Sequence, residues 1–252
     1  MNRTEARAWA DRLEQGLRAI AVPERAERER AYLKSDREFI GVSVPALRKL
    51  VKAQLAETEE LDHQVLISIV EALWDSNVHE RLMAAIEVLA ARPELPESAD
   101  LPLMERMLRQ AKTWALVDGL AVGTVGTLLE RDPEIAVELE RWATDEDFWI
   151  RRSALLARLR PLRRGAGDFE TFGRQADAML EEREFFIRKA IGWVLRDTAR
   201  KRPQLVIDWI APRTDRASGV TMREVVRHLP EADAARLMAA YRAGRAASGG
   251  AG

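Results

Sequence analysis

FFIRKAIGWVLRDTARKRP (185–203) is the stretch whose reading decides the fold. On a helical wheel Ile187, Ile191, Val194 and Leu195 share one face, with Thr198 between them. That is the apolar stripe of a helix packed on one side. FWIRRSALLARL (148–159) and VTMREVVRHL (220–229) show the same order: two or three apolar residues, an arginine, a second polar or charged residue, then an aliphatic run. The arginines, Arg151, Arg188 and Arg223, are 37 and 35 residues apart. The segments before two of them also start alike, DPEIAVELERW (132–142) and RPQLVIDW (202–209). Two helices per roughly 35–40 residues is a HEAT-like period, and such units stack into a curved α-solenoid whose concave wall is lined by the second helix of each pair.

Working outward, helical periodicity recurs over 4–20, 62–74, 78–91, 101–111, 113–130, 149–160, 172–183, 203–210 and 220–228. Breaks rich in Pro, Asp or Gly separate many of these, among them RPELPESADLP (92–102), RDPE (131–134) and GAGD (165–168). Asn-Gly and Asp-Gly hairpin turns are missing, and β-branched alternation is slight. The expectation is an all-α chain with one domain over 1–245 and a disordered tail, AASGGAG, at 246–252. There is no run of 18 uncharged apolar residues and no signal-peptide core in MNRTEARAWADRLEQ, so a cytoplasmic protein without a membrane span is expected. With no cysteine, and with His63, His79 and His228 scattered, no disulfide or metal site is expected.

The net charge of −1 conceals an asymmetry. Residues 1–140 carry 18 basic and 26 acidic side chains, a balance of −8, whereas residues 141–202 carry 15 and 10, a balance of +5. A polyanion is therefore expected mainly on the C-terminal half. Three groups of residues could carry chemistry. In KTWALVDGLAVGTVGTLL (112–129) an apolar helix is interrupted by Asp118, with Trp114 one turn earlier on the same face. Burying an unpaired carboxylate costs several kcal/mol, so Asp118 must face a cleft, find a partner or serve a cationic ligand. The adjacent Arg151 and Arg152 point about 100° apart on a helix, so one can pair with Asp145 or Asp147 while the other offers its fork of donors to a phosphate. Trp193 lies opposite the aliphatic stripe, near Lys189, Arg196 and Arg200. Either it packs on a neighbouring repeat, or it is an aromatic wall beside phosphate-binding bases.

The sequence resembles the AlkD-like DNA glycosylases, HEAT-like-repeat enzymes of alkylation repair, from about Tyr32 to about His228. The likeness is strongest in EFFIRKAIGWVLRDTARKRPQLVIDWI (184–210), and extends to AYLKSDREFIGVSVPALRKL (31–50) and ALWDSNVHERLMAAIEVL (72–89). It implies that Asp118 is the catalytic carboxylate, that Trp114, Trp193 and Tyr32 contact the lesion and its sugar, and that Arg152 holds the DNA backbone. Lys189, Arg196 and Arg200 are the further backbone candidates. The chain departs from the family pattern in having Thr113 before Trp114 and a lower overall basicity.

The resemblance further implies an enzyme, without cofactor, that acts on duplex DNA carrying cationic N3- or N7-alkylpurines; with no lysine placed as a nucleophile, a monofunctional enzyme is expected. It engages the lesion through sugar and backbone without a base pocket. A monomer working at the nucleoid suits that role. A non-catalytic DNA-binding member of the family and an α-solenoid protein scaffold stand as alternatives.

Overall fold

The computed structural model describes residues 1–249. All regular elements among them are helical, and one isolated parallel bridge joins Glu38 to Val78. The chain, expected as one domain, divides into two compact units, Met1–Leu128 and Leu129–Gly252.

The first unit contains α1 (Arg3–Arg18), α2 (Pro23–Leu33), α3 (Val44–Ala56), α4 (His63–Trp74), α5 (His79–Ala91), α6 (Leu101–Ala111) and α7 (Trp114–Asp118). Asn2 starts α1 through a capping box with Glu5, and Ser43 and Asp62 cap α3 and α4. Trp9, Leu13 and Leu17 of α1 are buried with Leu66, Ile69 and Leu73 of α4. The buried Glu80 takes the backbone N–H groups of Ile40, Gly41 and Val42, at 2.9, 2.6 and 3.3 Å. Gly41 has φ +85°, and a Cβ there would lie 2.2 Å from the Val22 carbonyl oxygen. No other residue fits that turn, which packs directly on the first turn of α2.

The stretch 113–130 is not the single helix that its periodicity predicts. After α7 the backbone widens into a π-helix, Gly119–Val125, before α8 (Gly126–Arg131) carries the chain onward. Glycines at 119, 123 and 126 leave few side chains to hold an α register, and a Cβ on Gly119 would press on Ile86 at 3.2 Å. π-turns of this kind concentrate at functional sites.

The second unit contains α9 (Ala136–Trp142), α10 (Phe148–Ala157), α11 (Leu159–Arg163), α12 (Phe169–Ala178), α13 (Phe185–Ala199), α14 (Pro203–Ile210), α15 (Gly219–Val225) and α16 (Glu231–Gly249). The predicted stripe of α13 is its core face, with Ile187, Ile191, Val194, Leu195 and Thr198 all fully buried. Residues 246–249 of the expected tail belong to α16, and 250–252 lie outside the described residues.

The repeat period appears in the contacts themselves. In the first unit Arg106 reaches back to Glu71, and Trp74 forward to Gln110, at sequence separations of 35 and 36. In the second unit Arg163 pairs with Asp197, Arg174 with Glu140 and Arg216 with Glu181, at separations of 34, 34 and 35. Within each unit, then, helix pairs stack on the pair that follows one repeat later.

Candidate functional site

In the first unit, α2 ends on Lys34 and α6 ends on Lys112, both in the left-handed region (φ 49° and 53°). Each lies two residues from an aromatic of the predicted site. Tyr32 is 73% exposed, and its ring meets that of Trp114 edge-to-face, with centroids 6.1 Å apart and planes at 88°. Asp118 follows Trp114 by one helical turn, is half-buried, and stands where α7 passes into the π-helix. The structure therefore brings Tyr32 onto Trp114, with Asp118 one turn further along the same helix. Two electron-rich ring faces and a carboxylate make a surface suited to a cationic group.

The second unit treats its predicted residues differently. Arg151 is bidentate to Glu182, at 3.0 and 2.8 Å, and also donates to the carbonyls of Asp145 and Glu146. The acid it pairs with is thus Glu182, while Asp145 contributes its carbonyl and Asp147 caps α10. Arg188 donates to the Glu182 carbonyl six residues behind it, just as Arg151 does to that of Asp145. These two recurrent arginines lace down the turns before their own helices. Arg223 is exposed.

The next repeat position holds Arg152, Lys189 and Glu224. Arg152 is 2% exposed; its guanidinium donates to the Phe186 carbonyl and lies 5.8 Å from the centre of that ring. Phe186 also stacks with Phe148 and Trp149 in an aromatic cluster that the sequence reading did not single out.

Lys189 and Arg196 both donate to Glu224, which is 3% exposed, and Arg227 approaches the same carboxylate at 3.6 Å. Burial pushes the Glu224 carboxyl up. The Lys189 hydrogen bond and the charges of Arg196, Lys189 and Arg227 outweigh it, leaving the carboxyl below its ordinary value. Gly192 makes this approach possible: a Cβ there would lie 2.7 Å from Cβ of Glu224.

The half-buried Trp193 donates its indole N–H to Asp197 at 3.2 Å. Asp197, 5% exposed, also accepts from Arg163 and Arg196. So two of the three bases around Trp193 face acids, Glu224 and Asp197, that sequence reasoning missed. Arg200 alone of the three is exposed, with no ion pair among the described residues. Among the described residues no group of three or more His, Asp or Glu could hold a metal, and no helix is long and apolar enough to cross a membrane.

Comparison with known proteins is consistent across sequence and structure. A structure from Enterococcus faecalis, described as a predicted DNA alkylation repair enzyme, superposes with a TM-score of 0.75 at 24% identity, covering 84% of this chain and 97% of that one. AlkD2 from Streptococcus mutans gives 0.59 at 16% identity, covering 81% and 99%. The smu.31 protein of Streptococcus mutans UA159 gives 0.57 at 15%, covering 74% and 93%. These likenesses show a shared all-α fold. No curated protein matches the chain. The sequence profile of the family described as DNA alkylation repair enzyme matches residues 13–229, and the chain belongs to that family.

Proposed function

We propose that the protein is a monofunctional DNA glycosylase that releases cationic N3- or N7-alkylpurines from duplex DNA, with Asp118 as its catalytic carboxylate. The observation that carries this reading is the perpendicular contact of Tyr32 with Trp114, whose helix carries Asp118 one turn further on. An alkylated purine is already a cationic leaving group. As the C1′–N bond breaks, its electron pair neutralises the base, and positive charge appears on the sugar as an oxocarbenium ion. Water then adds to C1′ and loses a proton, leaving an abasic site.

A carboxylate beside the sugar stabilises the charge where it develops and orients that water. At about 4 Å and an effective dielectric near 20 the attraction is about 4 kcal/mol. That amounts to roughly three powers of ten in rate. A term of this size suits a labile lesion and is too small alone for an undamaged nucleotide. Tyr32 and Trp114 offer ring faces to the sugar's polarised C–H groups and to the cation. Trp193 is the corresponding aromatic contact of the second unit, and Arg152, Lys189, Arg196 and Arg200 are its backbone contacts. The enzyme acts as a cytoplasmic monomer on nucleoid DNA.

A second reading, a DNA-binding member without catalysis, differs from the first only in whether Asp118 acts on the sugar. Base release from a duplex bearing one N7-methylguanine separates the two. Under the glycosylase reading the wild type releases base and Asp118→Asn loses about three powers of ten while still binding DNA. Binding without release from this and an N3-methyladenine duplex establishes the second reading. A borohydride-trapped enzyme–DNA adduct would contradict the monofunctional assignment.

A further inference from the structure

A cleft of about 990 Å³ opens in the first unit between the start of α1 and the C-terminal ends of α4 and α6. It contains neither Tyr32, Trp114 nor Asp118. Its charged lining is Arg3, Arg7, Arg37, Arg106 and Lys112 against Glu71 and Asp75, a balance of +3 in a unit whose overall balance is acidic. The two acids are engaged, Glu71 by Arg106 at 2.8 Å and Asp75 by Arg7 at 3.2 Å.

Arg3 and Arg37 make no ion pair among the described residues. Arg37 is half-buried and spends one nitrogen on the Gln110 carbonyl, at 2.6 Å. Burial without a compensating acid holds its guanidinium below the ordinary value. A cation kept under those conditions, with donor groups to spare, is arranged for an anion. Compensation of helix dipoles is too small to account for the surplus. The C-termini of α4 and α6 carry about half a negative charge each, so even Arg3 and Arg37 alone exceed them by about one charge. Neutral donors complete the lining: Ser76, Asn77 and the amide of Gln110, whose oxygen already accepts from Trp74.

We propose that this cleft is a phosphate-binding site outside the lesion site, filled by a backbone phosphodiester of bound DNA. Forked guanidinium donors match a phosphate's paired oxygens. The choice of DNA as the source of the phosphate rests on the reading given under Proposed function; the anion chemistry of the cleft does not.

The test measures affinity for an undamaged duplex across salt, for the full chain and for Arg3→Gln with Arg37→Gln. Each lost phosphate contact flattens the plot of log K against log salt by about 0.9, so the double variant is expected to flatten it by about 1.8. Base release from a saturating N7-methylguanine duplex is expected to be unchanged. If the slope is unchanged but pyrophosphate raises the Tm of the wild type and not of the variant, the site holds and its ligand is a free phosphate. If neither slope nor pyrophosphate response differs, the proposal is overturned. Arg37→Gln also removes the bond to Gln110, so Arg3→Gln alone, with about half the slope change, guards against a folding defect. A flattened slope in a protein that releases no base keeps this site and removes the glycosylase reading.

Discussion

The pattern Trp-x-x-x-Asp occurs twice, as WALVD (114–118) in the first unit and WVLRD (193–197) in the second, and the two copies have opposite fates. Asp197 is buried, and the indole of its own tryptophan and two arginines, Arg163 and Arg196, converge on it. The helix continues past it without a break. Asp118 is half-buried, follows Val117 where Asp197 follows Arg196, and ends its helix at a π-turn. The same spacing thus yields a buried hub of arginines and an indole in one place and a half-buried carboxylate at a π-turn in the other. Spacing puts tryptophan and aspartate on one face; burial and the course of the helix beyond them separate the two copies.

The largest expected effect tests that distinction by matched substitution. Asp118→Asn is expected to lower base release by about three powers of ten in protein that remains folded. Asp197→Asn should do the reverse, costing about 2 kcal/mol of stability, as expected for a charged hydrogen-bonding hub, with residual activity in step with the folded fraction. Denaturant melts and single-turnover release on both variants read this out. If Asp197→Asn abolishes release in a fully folded protein, the two copies are not divided as argued.

Acid separates the units next. His79 is buried, stacks on Phe39 at 4.4 Å, and is pushed down to about 4 from 6.5, by burial first and by the charge of Arg37 second. A neutral, buried His79 contributes stability that is complete above pH 6.5, where the unfolded chain is also uncharged. That stability is lost as pH falls toward 4, because the unfolded imidazole takes the proton first. The loss over this window is at most about 3 kcal/mol. Glu224 is likewise depressed, so its contribution is complete above its unfolded value of 4.5 and is lost only below that. Between pH 6.5 and 4.5 the first unit is expected to weaken while the second holds. His79→Gln removes the effect, and amide exchange resolved by unit checks it.

How much of this was legible follows from what each residue's neighbours in sequence can report. The buried stripe of α13 was readable because helix periodicity fixes it locally, and the 35–37-residue recurrence was readable because stacking repeats a pattern. That Trp114 and Asp118 share a helix one turn apart was readable from their spacing. The π-helix was not, since an i→i−5 register leaves no mark on a wheel drawn at 100° per residue; only Gly119, Gly123 and Gly126 hinted at it. The acids that take up Lys189 and Arg196 were missed for a different reason. Glu224 is 35 residues from Lys189, and the contact exists because Gly192 lets α15 close on α13. In the alignment of repeats, however, Glu224 occupies the position held by Arg152 and Lys189. An acid replacing a base at one rung signals a rung-to-rung pair.

That rung supplies the smallest expected effect, and it bears directly on whether the second unit's cations serve DNA. Glu224→Gln keeps the shape that packs against Gly192 and removes the charge that holds Lys189 and Arg196. If those cations belong to a phosphate-binding wall, Glu224 restrains them in the DNA-free protein, because a buried carboxylate competes with phosphate for the same donors. Its neutralisation then steepens the salt dependence of duplex binding by up to about 0.9 for each cation released. If instead the pairs only join α13 to α15, neutralisation lowers stability and leaves the slope unchanged. Lys189 is the more informative partner, since 40% of its side chain is exposed against 20% for Arg196. Adding Lys189→Gln to Glu224→Gln should cancel about half of any gain. A gain that survives the second substitution would assign the contact to Arg196, or to the exposed Arg200 beyond it.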